Sequence, residues 1–448
     1  MKILRFSCSA LYGHLDLDIS FQSDVSILTG INGCGKTSAL RCIAALLVPS
    51  LRALAHLSHE EMCVEIQHLD RIFAIRSRHT ENGIELSIDG QLHPLIFEPA
   101  SEEGDARIPD TEITDYYDDL LRKHTEHPVL VAISELPVPM VLGIARSGSG
   151  LFERQTDRPR TYVRSRRPIR TPFRTYLGAS LREAVQLAEQ KHRNLELALR
   201  NLSSRLRQDI IKEAIQYKEA QPGAEERPKI GDLQRFSEQL ENAVQTLSEL
   251  GLEEDYIREQ FTQMLEKLRE LAEKIPEDYD EASLDMDEMV AIYEWSANKS
   301  QYDRIFEILR LVDGYIDRCA RVRDPIQRYL DVLNGFFVDG KKVLEFNHRG
   351  ILIVRDSLRN EQPVTGLSSG ETQLLVIITH LSFNDDARDA NVFIIDEPEL
   401  SLHVKWQEGF VDAIMEASPE TQLILATHSP SIILDRVENC CDLSGAIE

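Results

Sequence analysis

Gly30-Ile31-Asn32-Gly33-Cys34-Gly35-Lys36-Thr37 matches the pattern G-x-x-x-x-G-K-[ST] at every fixed position, and its surroundings give it a structural meaning. The apolar run around Val25, Ile27 and Leu28 reads as a strand, and Ser38 to Leu47 reads as a helix. In the order strand, glycine loop, helix, the glycines let backbone N–H groups curl around a phosphate and the helix N-terminus adds its partial positive charge. Lys36 is then placed to reach the β- and γ-oxygens of a nucleoside triphosphate, and the Thr37 hydroxyl can ligate Mg²⁺. Gly30, Asn32, Gly33, Cys34, Gly35, Lys36, Thr37 and Ser38 are therefore expected to hold ATP.

A triphosphate site needs a second half, and three later stretches offer one. Val392-Phe393-Ile394-Ile395-Asp396-Glu397-Pro398 is a continuous apolar run ending in two carboxylates, the pattern of a buried parallel strand whose C-terminal end faces a ligand. Asp396 is the expected Mg²⁺ holder, through water, and Glu397 is expected to orient and polarise the attacking water. Leu367-Ser368-Ser369-Gly370-Glu371-Thr372-Gln373 precedes an apolar helix. Ser368 and Glu371 have the spacing of a capping box, and a helix N-terminus is also an anion site, so Ser368, Ser369, Gly370 and Glu371 count as nucleotide-binding candidates. Leu423-Ile424-Leu425-Ala426-Thr427-His428-Ser429-Pro430 is another buried strand with a polar end, where His428 can contact a γ-phosphate. The catalytic candidates are Lys36, Glu397 and His428. Lys36 and Asp396 lie 360 positions apart, so one site must be assembled around a large insertion.

The rest of the chain fits that organisation. Its 448 residues allow two or three domains, and 42% hydrophobic content suits a globular protein. No apolar run has membrane-spanning length and Met1 to Ser7 lacks a signal-peptide core, so a cytoplasmic protein is expected. The seven cysteines are scattered and never spaced C-x-x-C, which argues against a zinc site or a disulfide frame. A net charge of −25 makes the average surface repel nucleic acid, so any DNA contact has to be a local patch.

Alternating runs up to residue 28 predict two strands before the loop, and Cys63–Ile66, Arg71–Arg76 and Ile84–Ile88 predict an attached antiparallel sheet. Ser101 to Asp119 reads as an acidic loop, and Val129 to Ile133 as a strand. The segment from Arg154 to Arg174 carries eight arginines with Tyr162 and Phe173; it could grip DNA, pair with an acidic partner, or pair with this chain's own carboxylates. Leucines at three- and four-residue steps predict helices from Leu177 to about Val312, with a break at Gln221 to Pro228. The expected arms of about 45 residues would reach roughly 65 Å if straight. A hairpin over Val338–Phe346 and Gly350–Val354 returns the chain to the core. The expected division is an N-terminal core half at 1–150, an Arg-rich linker at 151–176, a helical insertion at 177–333 and a C-terminal core half at 334–448.

Taken together, these motifs resemble the ABC-type ATPases of the SMC/Rad50/RecF/OLD group, on Gly30–Thr37, Leu367–Glu371, Val392–Pro398, the following Glu399-Leu400-Ser401-Leu402-His403, and Thr427–Pro430. The resemblance implies an α/β fold: an ABC-type P-loop ATPase core with an attached antiparallel sheet, interrupted by a coiled-coil-like insertion. It implies ATP and Mg²⁺ as cofactors and a homodimer or larger homo-oligomer in which Ser369 and Gly370 of one chain touch the γ-phosphate held by Lys36 of another. Gln67 and Gln155 both remain open as the family's Q-loop glutamine. No C-x-x-C marks a zinc hook at an arm tip, and only 20 residues follow His428, too few for the Toprim nuclease of OLD proteins. Walker B continues as Glu-Leu-Ser-Leu-His where transporters have Thr-Ser-Ala-Leu-Asp, so no membrane partner is implied.

The compact form resembles the stand-alone ATPase subunits of bacterial anti-phage systems, AriA-like in PARIS or PtuA-like in Septu and retron systems. That resemblance implies a separately encoded effector nuclease, of Toprim or HNH type, and a phage trigger. The alternative is a RecF/SMC-like repair or recombination ATPase binding duplex DNA through Arg154 to Arg174.

Overall fold

The computed structural model describes residues 1–100, 110–143, 179–217, 230–276 and 284–444. The Arg154 to Arg174 segment, Gln155 and the break at Gln221 to Pro228 lie outside them. Contacts divide the chain into a first unit of Met1–Lys191 with Arg328–Glu448 and a second unit of His192–Gln327.

Two β-sheets build the first unit around one helix. β1 (Lys2–Leu11), β2 (Leu15–Ser20), β4 (Glu61–His68), β5 (Arg71–Thr80), β6 (Gly83–Ile88) and β7 (Leu95–Phe97) pair antiparallel in the order β2-β1-β4-β5-β6-β7. Their alternating burial is that of a sheet covered on one face, as in β2, where every second residue is buried. A second, parallel sheet has the order β14-β3-β13-β12-β8, from β3 (Val25–Thr29), β8 (Met140–Leu142), β12 (Val392–Asp396), β13 (Gln422–Ala426) and β14 (Cys440–Asp442). β12 and β13 are buried at every position, as strands covered on both faces must be.

Helix α1 (Lys36–Leu47) lies in the common core, its Leu40, Ile43 and Leu46 clustering with Phe6, Val64 and Ile75 of one sheet and Ile394 and Ile424 of the other. A helix apolar on nearly all sides has to be enclosed in this way. Gln422, fully buried at the start of β13, ties the sheets together: its amide donates to the carbonyls of Ile3 and Gln22 and its oxygen accepts from Ile3 N.

Around this core run α2 (Leu51–His56), α3 (Asp110–Lys123), α4 (Pro128–Ser134), α9 (Ser369–Phe383), α10 (Asp385–Ala390), α11 (Val404–Glu408), α12 (Phe410–Ala417) and α13 (Pro430–Ile433). A small antiparallel sheet, β11-β10-β9, is made by β9 (Val343–Phe346), β10 (Leu352–Arg355) and β11 (Glu361–Pro363). It contains the expected return hairpin with one further strand.

Two local expectations are corrected. Val129 to Ile133 is helical, within α4, because Pro128 sits at the first turn and the His127 side chain accepts from Val129 N as a cap. The acidic stretch before Asp119 is not all loop. From Asp110 it forms α3, which buries Ile113 and Tyr117 one turn apart while Glu112, Asp115 and Asp119 are exposed.

The second unit is helical. It comprises α6 (Ile230–Glu249), α7 (Glu254–Lys274) and most of α5 (Ala179–Ile215) and α8 (Met286–Phe337). Its own core gathers Leu206, Val244, Leu247, Leu268, Leu271, Trp295 and Val312, with Trp295 stacked on Tyr302 at 5.4 Å. Arg258 pairs with Glu241 across the α6–α7 turn and with Glu254 one turn back on its own helix.

Candidate active site

The parallel register sets Leu28, Ala426 and Asp396 side by side, so β3, β13 and β12 end together and the loops that follow them converge. After β3 the chain passes through Gly30, Gly33 and Gly35 at φ of 136°, 89° and 94°, backbone open to glycine and strained for other residues. A Cβ on Gly30 would come 2.7 Å from Cys34 Sγ, so the tight turn also needs a small residue there. α1 then begins at Gly35 with no capping side chain and no acid in its first turn. Its N-terminal N–H groups therefore suit an anion.

Lys36 is 5% exposed, and its ammonium donates to Gly30 O at 2.8 Å and Ile31 O at 3.1 Å. It also lies 3.4 Å from His428 Nδ1. An ammonium can only donate, so a hydrogen bond between the two needs His428 Nδ1 as the acceptor. Thr37 Oγ1 donates to Asp396 Oδ1 at 3.1 Å, joining the phosphate loop to the end of β12. The next residue, Glu397, stands at φ 48°, in left-handed backbone, with its N–H donating to Ala426 O at 2.8 Å. Such a conformation costs about 1–2 kcal/mol outside glycine and recurs where a side chain has to be aimed.

Lys36, Thr37, Asp396, Glu397 and His428 are thus drawn from three strand ends into one cluster. These groups could hold a Mg²⁺-nucleotide, with glycine-loop N–H groups and Lys36 suited to phosphate oxygens and the Thr37 hydroxyl and Asp396 suited to the metal.

Residues 144–435 match the family model described as "AAA domain, putative AbiEii toxin, Type IV TA system". The chain belongs to this family. The matched stretch takes in Asp396, Glu397, His428 and the Ser368–Glu371 turn, and starts after the phosphate loop. A curated relative, the "Retron Vc95 probable ATPase" of Vibrio cholerae serotype O1 biovar El Tor, is 27% identical over 105 residues, 21% of this chain. The match spans 20% of that relative's length. Among solved structures, the Smc head domain of Pyrococcus furiosus with an extended coiled coil and bound ScpA C-terminal domain aligns over 98% of this chain and 93% of its own, at 15% identity and TM-score 0.39. An SmcHead bound to the C-winged helix domain of ScpA aligns over 99% and 94%, at 12% identity and TM-score 0.42.

In this AAA domain the Ser368–Glu371 turn divides its labour. Ser368 caps α9 by accepting from Glu371 N, and Glu371 Oε2 accepts from Ser368 N at 2.7 Å, completing a capping box. Glu371 is 5% exposed and both its oxygens also take Lys342 Nζ at 2.8 Å. Burial pushes its pKa up, but Lys342 and Ser368 outweigh that, leaving it below the usual carboxylate range. Its side chain is therefore committed to building the turn, whereas Ser368 and Ser369 are exposed. Of the two Q-loop candidates, Gln67 stands exposed on β4, cross-strand from Lys2 and Ile72.

Burial pushes the Asp396 carboxyl up to about 6; Thr37's hydrogen bond and Arg41 oppose the shift, and the charges of Glu397 and Glu399 add to it. Below the unfolded value of 3.8 the group is protonated in folded and unfolded chains alike, and above about 6 the fold holds a buried anion that unfolding relieves. In nucleotide-free protein near neutral pH, Asp396→Asn should therefore stabilise the fold by on the order of 2 kcal/mol. That gain should fade as the pH falls from 6 toward 4, as read by denaturant melts at each pH. A constant difference across that range would show that the carboxyl is not perturbed.

Sequence reasoning missed two residues. Gly143 follows β8 at φ 93°, and a Cβ there would come 2.2 Å from the backbone carbonyl oxygen of Asp396, so only glycine lets the chain after β8 pass against the end of β12. Glu399 binds the His428 loop, and its proximity to that loop is a product of the β12–β13 pairing alone.

Proposed function

We propose that the chain is a Mg²⁺-dependent ATPase, converting ATP and water to ADP and phosphate, that acts in the cytoplasm as the sensor and scaffold subunit of an anti-phage defence system. It would form ATP-sandwich dimers or larger homo-oligomers and control a separately encoded effector nuclease of Toprim or HNH type, on a phage trigger. The observation that carries the ATPase reading is the convergence of Lys36, Thr37, Asp396, Glu397 and His428 at three adjacent strand ends. The defence reading is supported by the toxin–antitoxin description of the family and the retron name of the relative.

In this reading Thr37 and Asp396 would hold Mg²⁺, which when bound would supply the charge neutralisation that phosphoryl transfer generally needs. Lys36 would exchange its two loop carbonyls for phosphate oxygens. Glu397, fixed by its strained backbone, orients and polarises the attacking water. Exposed Ser369, followed by Gly370, would complete the site of a second chain. No helix among the described residues is long and apolar enough to cross a membrane.

The test is co-purification: the chain, expressed with its neighbouring genes, is captured and the complex weighed by native mass spectrometry. The expected result is a nuclease at fixed stoichiometry with two or more copies of this chain. A lone ATPase whose turnover rises with added duplex DNA, and falls steeply with salt, would replace the proposal by the repair reading and point to Arg154 to Arg174 as the DNA contact.

A further inference from the structure

We infer that Glu399 is a positioning residue which ties the turn after β12 to the loop after β13, so that Glu397 and His428 are held as one unit. The inference rests on the ATPase reading and adds a coupling device to it.

Glu399 Oε1 accepts two hydrogen bonds from the neighbouring loop, one from Thr427 Oγ1 at 2.8 Å and one from His428 N at 2.6 Å. Charge-assisted bonds of this kind are roughly twice as strong as neutral ones. Thr427 is 1% exposed, and its hydroxyl also accepts from Ser429 N at 3.0 Å, so the carboxylate fixes a structured turn. The same two loops are braced twice more. Glu397 N donates to Ala426 O, and buried Gln407 donates to Leu402 O at 2.9 Å while its oxygen accepts from Ser429 Oγ at 2.6 Å. Glu397 and His428, the residue beside Lys36 Nζ, are therefore on loops joined by backbone and side-chain bonds, of which the Glu399 carboxylate makes the two to Thr427 and His428.

A second observation points the same way. Glu399 Oε2 is buried and makes no hydrogen bond among the described residues. A buried carboxylate oxygen without a hydrogen bond costs free energy, and that cost is set against the two bonds that Oε1 makes to the His428 loop. The charge also bears on Asp396, which places this carboxylate within electrostatic reach of the metal-holding group.

Steady-state phosphate release by the full chain, with ATP affinity read separately by titration of a fluorescent ATP analogue, tests the assignment. Glu399→Ala is expected to lower kcat about 30- to 100-fold while KM and ATP affinity stay within about threefold, because the loops lose their register and the phosphate loop does not. Glu399→Gln keeps a carbonyl oxygen for Thr427 and His428 and is expected to recover most of that loss. Thr427→Val should slow turnover about 3- to 10-fold and Thr427→Ser should restore it, a pair that stays informative if the Ala variant folds poorly. Wild-type kcat in Glu399→Ala, or a Gln variant as slow as the Ala variant, overturns the positioning role alone. A wild-type chain that binds ATP and releases no phosphate overturns the ATPase reading on which it rests.

Discussion

Lys36→Ala is expected to weaken ATP binding at least about 100-fold, an effect of roughly 3 kcal/mol for removing a charged partner from a buried phosphate site. Lys36 is 5% exposed, and its ammonium is held over the glycine loop by the carbonyls of Gly30 and Ile31. An alanine leaves the loop's N–H groups in place but removes the charge that complements the triphosphate. Isothermal titration with ATP and Mg²⁺ checks this, and circular dichroism shows whether α1 and the sheets persist. Unchanged affinity in a folded variant would place the nucleotide elsewhere.

Glu397→Gln is expected to have the opposite profile: ATP affinity near wild type and kcat lower by about 10³, within the range for loss of a general base. Glutamine has the same shape, and the left-handed turn at Glu397 is held by its backbone N–H to Ala426 O, so the substitution leaves the geometry intact. With hydrolysis stalled, ATP should accumulate at the site and the sandwich dimer, if ATP closes it, should become the main species in native mass spectra. Full turnover in this variant would remove Glu397 from its role. Glu399 reaches the same cluster through Thr427 and the His428 loop, so its loss should slow turnover less than loss of Glu397 itself.

The sequence shows the site's parts more clearly than its connections. Gly30–Thr37 and Val392–Pro398 are legible because each is a local pattern whose chemistry depends on neighbours in the chain. The alternation in β2, β4 and β6 is legible for the same reason, since a strand covered on one face buries every second residue. Val129 to Ile133 misleads because five apolar residues in a row suit a buried strand and a short buried helix equally. His127 and Pro128 hold the distinguishing signal, a cap and a first-turn proline. In α3, Ile113, Tyr117, Leu120 and Leu121 carry the helical period, and the surrounding acids hide it.

Gly143 and Glu399 could not be found from local pattern at all. The need for glycine at 143 comes from the backbone of Asp396, brought alongside by the β8–β12 pairing, and Glu399 matters because β12 and β13 lie side by side.

Phosphate release from ATP by the purified full chain, with and without Mg²⁺ and near neutral pH, tests the central claim most directly. The account predicts turnover that chelation of Mg²⁺ abolishes and that both Lys36→Ala and Glu397→Gln lose, the first through binding and the second through chemistry. Bound ATP that stays intact in the presence of Mg²⁺, or turnover that survives both substitutions, would contradict it.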